Sequence, residues 1–187
     1  MKSLYQFIVK PVGGRRYDNI KKIGNTDFIM STSEEDAAFS NRQAEVIETP
    51  LNYNGSISKG DILLVHHNVF KFYNDMYGRR KSGRSFLKDD LFFVDPDQFF
   101  AYKKNNKWYG YDRYCFLKPI PPTESYIFKP LTKEPLMGEM VIVNDGLKEK
   151  GVKKGDIVTY KPNQEYQFNV DNQILWRMYD HTITLIL

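Results

Sequence analysis

The residues able to support catalysis or metal binding occur singly or as neighbours in this chain. His66-His67 offers two metal ligands, but adjacent side chains of an extended strand point to opposite faces and do not reach one ion. Asp95-Pro96-Asp97 and Asp180-His181 offer carboxylates for acid–base work, yet Asp and Pro are also the usual turn residues. Cys115 lies in an aromatic stretch and is expected to be a buried small hydrophobe. No nucleophile elbow accompanies them, so we expect no enzyme, metal or cofactor.

A basic segment offers a different chemistry, the binding of nucleic acid. Four cations, three of them between Gly78 and Gly83 and one directly after Gly83, are predicted to form the tip of a long hairpin from His66 to Phe86. These cations are Arg79, Arg80, Lys81 and Arg84. The aromatic residues that could act together with these cations are Tyr73, Tyr77, Trp108 and Tyr109. Basic loops with exposed aromatics on small β-barrels bind single strands by charge and stacking.

An apolar island, Phe28-Ile29-Met30, lies within the otherwise polar stretch from Gly13 to Asn41. Gly24 precedes it, and Ser31, Thr32 and Ser33 follow it, which predicts a flexible setting. A connection of about 30 residues inside a small domain is typical of a functional loop. Phe28-Ile29-Met30 is thus a candidate binding segment, with a core strand as the alternative.

The elements that must hold these segments occur twice in the sequence. Glu45 precedes Asp61 by 16 residues, and Glu139 precedes Asp156 by 17, each within similar blocks. Those blocks are Ala44-Glu45-Val46-Ile47 with Lys59-Gly60-Asp61-Ile62, and Gly138-Glu139-Met140-Val141 with Lys154-Gly155-Asp156-Ile157. Asp90–Tyr102 then parallels Gln173–Leu185, and the short strands Phe7–Pro11 and Tyr126–Pro130 precede the two copies. Only Leu131–Gly138 separates Pro130 from Glu139, so the second copy is expected to lack the long loop.

Composition and turn signals predict an all-β protein with little or no helix. Aromatic residues make up 15% of the chain, and short β-branched runs follow Gly-Asp turns. A single cysteine fits a reducing compartment, and no segment approaches the 18 apolar residues of a membrane span. We therefore expect a cytoplasmic protein without a membrane partner. The repeat predicts two domains, 1–113 and 114–187.

Taken in their order along the chain, these motifs resemble those of the GroES co-chaperonin family. Members have a first strand, a mobile loop with an apolar tripeptide, a Gly-Glu-Val strand, a Gly-Asp-Ile strand, a roof hairpin and a closing strand. Phe28-Ile29-Met30 matches the tripeptide, and Asp36–Arg42 resembles the small-residue stretch after it. The second copy is similar from Cys115 to Leu187 without the mobile loop. The tandem arrangement and the aromatic-rich hairpin suggest a divergent, bacteriophage-encoded member.

The resemblance implies two GroES-like small β-barrels and the function of a co-chaperonin lid. Phe28, Ile29 and Met30 would bind a GroEL-like chaperonin in a nucleotide-dependent manner, and the chains would form a ring, expected to be a heptamer. Weak loop contacts would add up through the effective concentration within that ring. Two alternatives are a structural virion-assembly protein that reuses the barrel and a single-stranded nucleic-acid-binding barrel. The net charge of +4, from 27 cations and 23 acids, argues against the nucleic-acid alternative.

Overall fold

The protein is represented by a computed structural model that describes residues 2–17, 20–29, 40–120 and 136–187. The chain divides into two units, Met1–Asn106 (unit 1) and Lys107–Leu187 (unit 2). Strands dominate both units, which confirms the predicted all-β class.

In unit 1 the described strands form one main sheet and two separate hairpins. The strands are β1 (Phe7–Pro11), β2 (Ile20–Ile23), β3 (Thr26–Ile29), β4 (Gln43–Glu48), β5 (Ile62–Val65), β6 (Phe72–Asn74), β7 (Arg80–Ser82), β8 (Phe86–Lys88), β9 (Leu91–Val94) and β10 (Phe99–Lys104). The main sheet runs in the order β10-β5-β4-β1-β9-β8. The pairs β2-β3 and β6-β7 lie outside it as two-stranded sheets.

In unit 2 all the described strands except the first form a sheet of the same design. The elements are β11 (Lys107–Gly110), β12 (Tyr114–Ile120), β13 (Met137–Ile142), α1 (Asp145–Glu149), β14 (Ile157–Tyr160), β15 (Tyr166–Val170), β16 (Gln173–Tyr179) and β17 (Ile183–Ile186). The sheet runs in the order β15-β16-β12-β13-β14-β17. Read from opposite ends, the two sheets have the same connectivity, which confirms the internal repeat.

Strand register fixes which residues correspond. Val9 pairs with Val46 in unit 1, and Leu117 pairs with Met140 in unit 2, with a register irregularity just before Val9 and Leu117. The counterpart of β1 is therefore β12, with its Lys118-Pro119, and not Tyr126–Pro130, which lies outside the described residues.

The Gly-Asp dipeptide has the same geometric role in both units. Gly60 and Gly155 have φ values of +89° and +93°, a region that glycine enters without steric cost. The amide of each glycine donates a 2.8 Å hydrogen bond, to the carbonyl of Val46 in unit 1 and of Met140 in unit 2. Each aspartate accepts a hydrogen bond from the backbone three residues before it, Asp61 at 2.7 Å and Asp156 at 2.8 Å. The turn therefore sets the entry of β5 and of β14.

The cores of the two units use different side chains at equivalent places. Phe7 pairs with Val94 in unit 1, and Cys115 pairs with Met178 in unit 2, and all four are fully buried. The large residue thus lies on the first strand in unit 1 and on the neighbouring strand in unit 2. Such exchanges keep the volume that a packed interior requires.

The helix α1 was not predicted from the sequence. Its five residues are too short to show helical periodicity, and it is started by Asn144, whose side chain accepts a 3.1 Å hydrogen bond from the amide of Leu147. The one segment for which the sequence suggests a single helical turn, Ser33–Phe39 with its acidic start, lies outside the described residues.

Candidate functional site

Asn41 closes the two ends of the connection 12–42 between β1 and β4. Its side-chain amide donates hydrogen bonds to the carbonyls of Val12 and Arg15, both at 2.8 Å, and its carbonyl accepts one from the amide of Gln43 at 2.9 Å. Its own amide donates to the carbonyl of Arg16 at 2.9 Å, and its side chain is only 4% exposed. The connection therefore begins and ends in one hydrogen-bonded cluster, residues 12–16 and 41–43, which we call the neck.

Beyond the neck, β2 and β3 form an antiparallel hairpin with a two-residue turn at Gly24-Asn25. Ile23 pairs with Thr26, and Phe28 lies two residues beyond Thr26, so Ile23 and Phe28 share one face. Their exposed fractions are 55% and 48%. This face presents two large apolar side chains to solvent, the usual property of a site that binds another protein.

The structure changes how the predicted binding segment is interpreted. Phe28 lies in a strand, but half of its surface is exposed, so it is not a core residue. Ile29 also belongs to β3, where it pairs with Ile20. Gly24, expected to give flexibility, instead adopts φ +62° in the hairpin turn, a conformation that favours glycine. Met30, Ser31, Thr32 and Ser33 lie outside the described residues.

Ile23 was missed by the sequence reasoning. It is five residues before Phe28, and only the two-residue turn brings both onto one face. The dipeptide Gly24-Asn25, of a type common in two-residue hairpin turns, is the signal that could have revealed it.

The connection between the first two strands of unit 2 is longer than the sequence alignment indicated. Because β12 ends at Ile120 and β13 begins at Met137, residues 121–136 occupy the place of 12–42. The expected connection of only eight residues, Leu131–Gly138, is therefore too short, although the second copy does lack a connection as long as 12–42. The connection 121–136 is shorter by about half, and residues 121–135 lie outside the described part of the chain.

The basic segment forms a hairpin, as predicted, with β6 and β7 paired from Phe72–Ser82 to Asn74–Arg80. Asp75 shapes its turn: one carboxylate oxygen accepts hydrogen bonds from the amides of Tyr77 and Arg79, each at 2.9 Å. Of the four cations predicted at the hairpin tip, only Arg79 adjoins the turn; Arg80 and Lys81 belong to β7, Arg84 lies in the turn after β7, and all four are exposed. Trp108 and Tyr109 belong to unit 2, where Trp108 donates a 2.9 Å hydrogen bond to Asp171.

Arg16 joins the neck to the hairpin of β6 and β7, a link that no local sequence pattern predicts. Its guanidinium donates a 3.1 Å hydrogen bond to the hydroxyl of Ser82 and lies 4.9 Å from the ring centroid of Phe92. Tyr17 packs edge-on against Phe72, with centroids 5.3 Å apart. Burial lowers the pKa of Arg16, and the charge of Asp90 opposes that shift. The hairpin base and the neck thus form one packed cluster.

The two adjacent histidines do not lie on opposite faces of a strand, so the premise of that prediction is wrong. They follow β5 in a turn, and their rings are 4.1 Å apart with an interplanar angle of 32°. Burial, and then the charge of His66, lowers the pKa of His67 from 6.5 to about 4. Among the described residues, no group of three or more His, Cys, Asp and Glu side chains is arranged to hold a metal ion.

The remaining titratable candidates have structural partners. Asp95 begins a 3-10 turn and forms a capping box with Gln98, which confirms the predicted turn. Burial would raise the pKa of Asp180, but hydrogen bonds from Asn144 and Arg113 lower it overall. Cys115 is fully buried, and burial raises the pKa of its thiol to about 12. A thiol with that pKa is not nucleophilic at neutral pH.

Neither protein-family models nor curated proteins provide a match to this chain. The function must therefore be inferred from its own residues. In the part of the chain that the structure describes, no helix is both long and apolar enough to cross a membrane.

Proposed function

We propose that the protein is a co-chaperonin of the GroES type, a cytoplasmic ring-shaped lid that binds a chaperonin and closes its folding chamber. Two features of the chain support this proposal: the order of its sequence motifs and the exposed apolar hairpin face on the connection 12–42. The proposed activity requires no catalytic group, since the lid acts by reversible binding.

The observation that carries the proposal is the pair of half-exposed side chains Ile23 and Phe28. A hairpin outside the main sheet, entered through the neck at Asn41, is suited to insert these side chains into an apolar groove. Burying one such side chain completely is worth about 1.5–3 kcal/mol, so the exposed halves offer about 1 kcal/mol each. A single hairpin would bind weakly and dissociate readily.

Weak single contacts suit a lid that must leave during each nucleotide cycle, provided that several act together. In a ring, each further hairpin binds at the effective concentration set by the first, which raises the overall affinity without new contacts. We propose a heptamer whose hairpins bind the rim of a GroEL-like chaperonin in its nucleotide-bound state.

Unit 2 supplies support for self-association. β17 ends the strand order of its sheet, so its outer edge has no strand partner among the described residues. Leu185, Ile186 and Leu187 are half to two-thirds exposed on or beside this strand. Edge strands with exposed aliphatic side chains tend to pair with another chain, and a neighbouring subunit would cover this one.

The test is binding to a purified GroEL-type chaperonin with and without ATP, followed by co-elution on gel filtration. We expect the double variant Ile23→Ser/Phe28→Ser to keep the ring and lose chaperonin binding. The matched control is Leu4→Ser/Leu51→Ser, which removes two apolar side chains of similar exposure elsewhere in unit 1. Equal binding by the hairpin variant and the wild type would refute the assignment. A ring that binds no chaperonin would favour the virion-assembly function.

A further inference from the structure

The net charge of the chain is concentrated in the basic hairpin, defined here as residues 71–84. This hairpin holds five of the 27 Lys and Arg residues and one of the 23 acidic residues, so it carries +4. The remaining 22 cations and 22 acids cancel. The low overall charge that argued against a polyanionic partner therefore conceals one strongly positive surface.

The two faces of the basic hairpin differ in what they contact. Phe72 is 5% exposed, with the guanidinium of Arg80 4.2 Å from its ring centroid and Tyr17 against its edge. This inner face holds the hairpin to unit 1. Tyr73 and Lys81 are a cross-strand pair, one residue out of phase with Phe72 and Ser82, so they lie on the outer face.

The outer face and turn interleave aromatic rings with cations. Tyr73 is 49% exposed and Tyr77 76% exposed, and the guanidinium of Arg79 lies 5.6 Å from the centroid of the Tyr77 ring. Lys81 pairs with Tyr73 and is exposed, and Arg84 is exposed in the turn that follows β7. Exposed rings give stacking surfaces for bases, and exposed cations near them can contact a phosphate backbone.

The turn of the hairpin is fixed before any ligand binds. The amide of Asp75 donates to the carbonyl of Arg79 at 2.9 Å, and that of Gly78 donates to the carbonyl of Asp75 at 2.8 Å. Together with the carboxylate hydrogen bonds of Asp75, these contacts hold Tyr77 and Arg79 in place. A preformed surface loses little entropy on binding.

We propose that the outer face of the basic hairpin binds single-stranded nucleic acid, with Tyr73 and Tyr77 stacking on bases and Arg79, Lys81 and Arg84 contacting phosphates. A single strand fits better than a duplex, because bases must be unstacked to reach the tyrosine rings. This activity is separate from that of the Ile23/Phe28 hairpin.

The test is fluorescence anisotropy of a labelled oligodeoxythymidylate of about 20 nucleotides, titrated between about 50 and 200 mM salt. We expect Arg79→Ser/Lys81→Ser/Arg84→Ser to weaken binding tenfold or more and to reduce the slope of log affinity against log salt by about 2, from about 0.7 per phosphate contact. The control Lys150→Ser/Lys153→Ser/Lys154→Ser removes the same charge from exposed positions of unit 2 and should keep the wild-type slope.

Three further variants separate the effect of charge from those of stacking, of arginine identity and of the Ile23/Phe28 hairpin. Tyr73→Ser/Tyr77→Ser should keep the salt slope but lower affinity about fivefold or more for each ring. Arg79→Lys/Arg84→Lys keeps the charge and should bind with the wild-type slope, which would show that the slope depends on charge and not on the arginine side chain itself. Ile23→Ser/Phe28→Ser should bind the oligonucleotide as the wild type does.

Three results would overturn the proposal. The first is no binding by the wild type at about 50 mM salt. The second is an equal slope in the hairpin and control triple variants. The third is unchanged affinity of the tyrosine variant together with equal competition by duplex DNA, which would instead indicate a general anion-binding surface, such as one for an acidic protein.

Discussion

Units 1 and 2 have the same strand order and the same Gly-Asp turn, but they differ in two connections. The first and second strands of the sheet are joined by residues 12–42 in unit 1 and by 121–136 in unit 2. The connection that contains the basic hairpin, residues 66–85 between β5 and β8, corresponds to only residues 161–165 in unit 2. The difference separates a shared scaffold from additions specific to unit 1.

Substitutions in the scaffold and substitutions in the additions should therefore have different consequences. Changes in the shared scaffold should lower stability in whichever unit they fall. Changes in the additions of unit 1 should alter binding and leave the scaffold intact. Both tryptophans, Trp108 and Trp176, lie in unit 2, so their fluorescence follows unit 2, and hydrogen exchange of β1, β4 and β9 follows unit 1.

The largest effect is expected from Phe7→Ala. Phe7 is fully buried and packs edge-on against Phe99 and Tyr53, with centroids 5.5 and 5.0 Å away. Its removal should lower the free energy of unfolding of unit 1 by about 3–5 kcal/mol, measured by hydrogen exchange. Tyr5→Ala, at a side chain that is 81% exposed, is the control and should change it by less than about 0.5 kcal/mol. A loss below about 1 kcal/mol for Phe7→Ala would show that the core is placed incorrectly.

Asn41→Ala should have the next largest effect, confined to unit 1. It removes three part-buried side-chain hydrogen bonds at the neck, at a cost of about 1–3 kcal/mol. Amides 12–17 and 40–43 should exchange faster while tryptophan fluorescence keeps its wild-type midpoint. Uniform acceleration across unit 1 would mean that Asn41 supports the core and not the neck.

Asp61→Ala and Asp156→Ala should each lower the free energy of unfolding of their own unit by about 1 kcal/mol, because each loses one carboxylate–amide hydrogen bond. Urea denaturation, followed by tryptophan fluorescence for Asp156→Ala and by hydrogen exchange for Asp61→Ala, provides the measurement. Effects that differ by more than about 1 kcal/mol would contradict a shared turn.

A smaller effect is expected from low pH, which should lower the stability of unit 1 through His67. Its pKa is lowered to about 4 in the folded chain, so the folded state favours the neutral ring. The resulting stability is present above the ordinary pKa of 6.5 and is lost as the pH falls towards about 4. Hydrogen exchange at pH about 7 and about 5 should show a loss in unit 1 that His67→Gln reduces. An identical pH dependence in the variant would exclude His67 as the cause.

Much of the scaffold could be predicted from the sequence because its signals are local. Gly60-Asp61 and Gly155-Asp156 mark turns by residue type, and the runs after them are β-branched or aliphatic. The first strand of unit 2 was less clear, since Lys118-Pro119 and Lys129-Pro130 both fit the pattern. Only pairing with β13 and β16, which depends on distant residues, identifies β12.

The sites were harder to predict because they depend on which side chains share a face. The sequence indicated Phe28 by its apolar character, but Ile23 becomes its neighbour only through the turn at Gly24-Asn25. Arg16 and Ser82 are far apart in the chain, and nothing local predicts their hydrogen bond. The histidine pair was interpreted with strand geometry and lies in a turn, which places the rings together.

The most direct test of the central claim is the native mass of the purified chain, alone and with a GroEL-type chaperonin and ATP. A lid that relies on several weak hairpin contacts predicts a ring of seven chains of 22.0 kDa, about 154 kDa, that joins the chaperonin only when nucleotide is present. A stable 22.0 kDa monomer that does not bind the chaperonin with ATP would contradict the account.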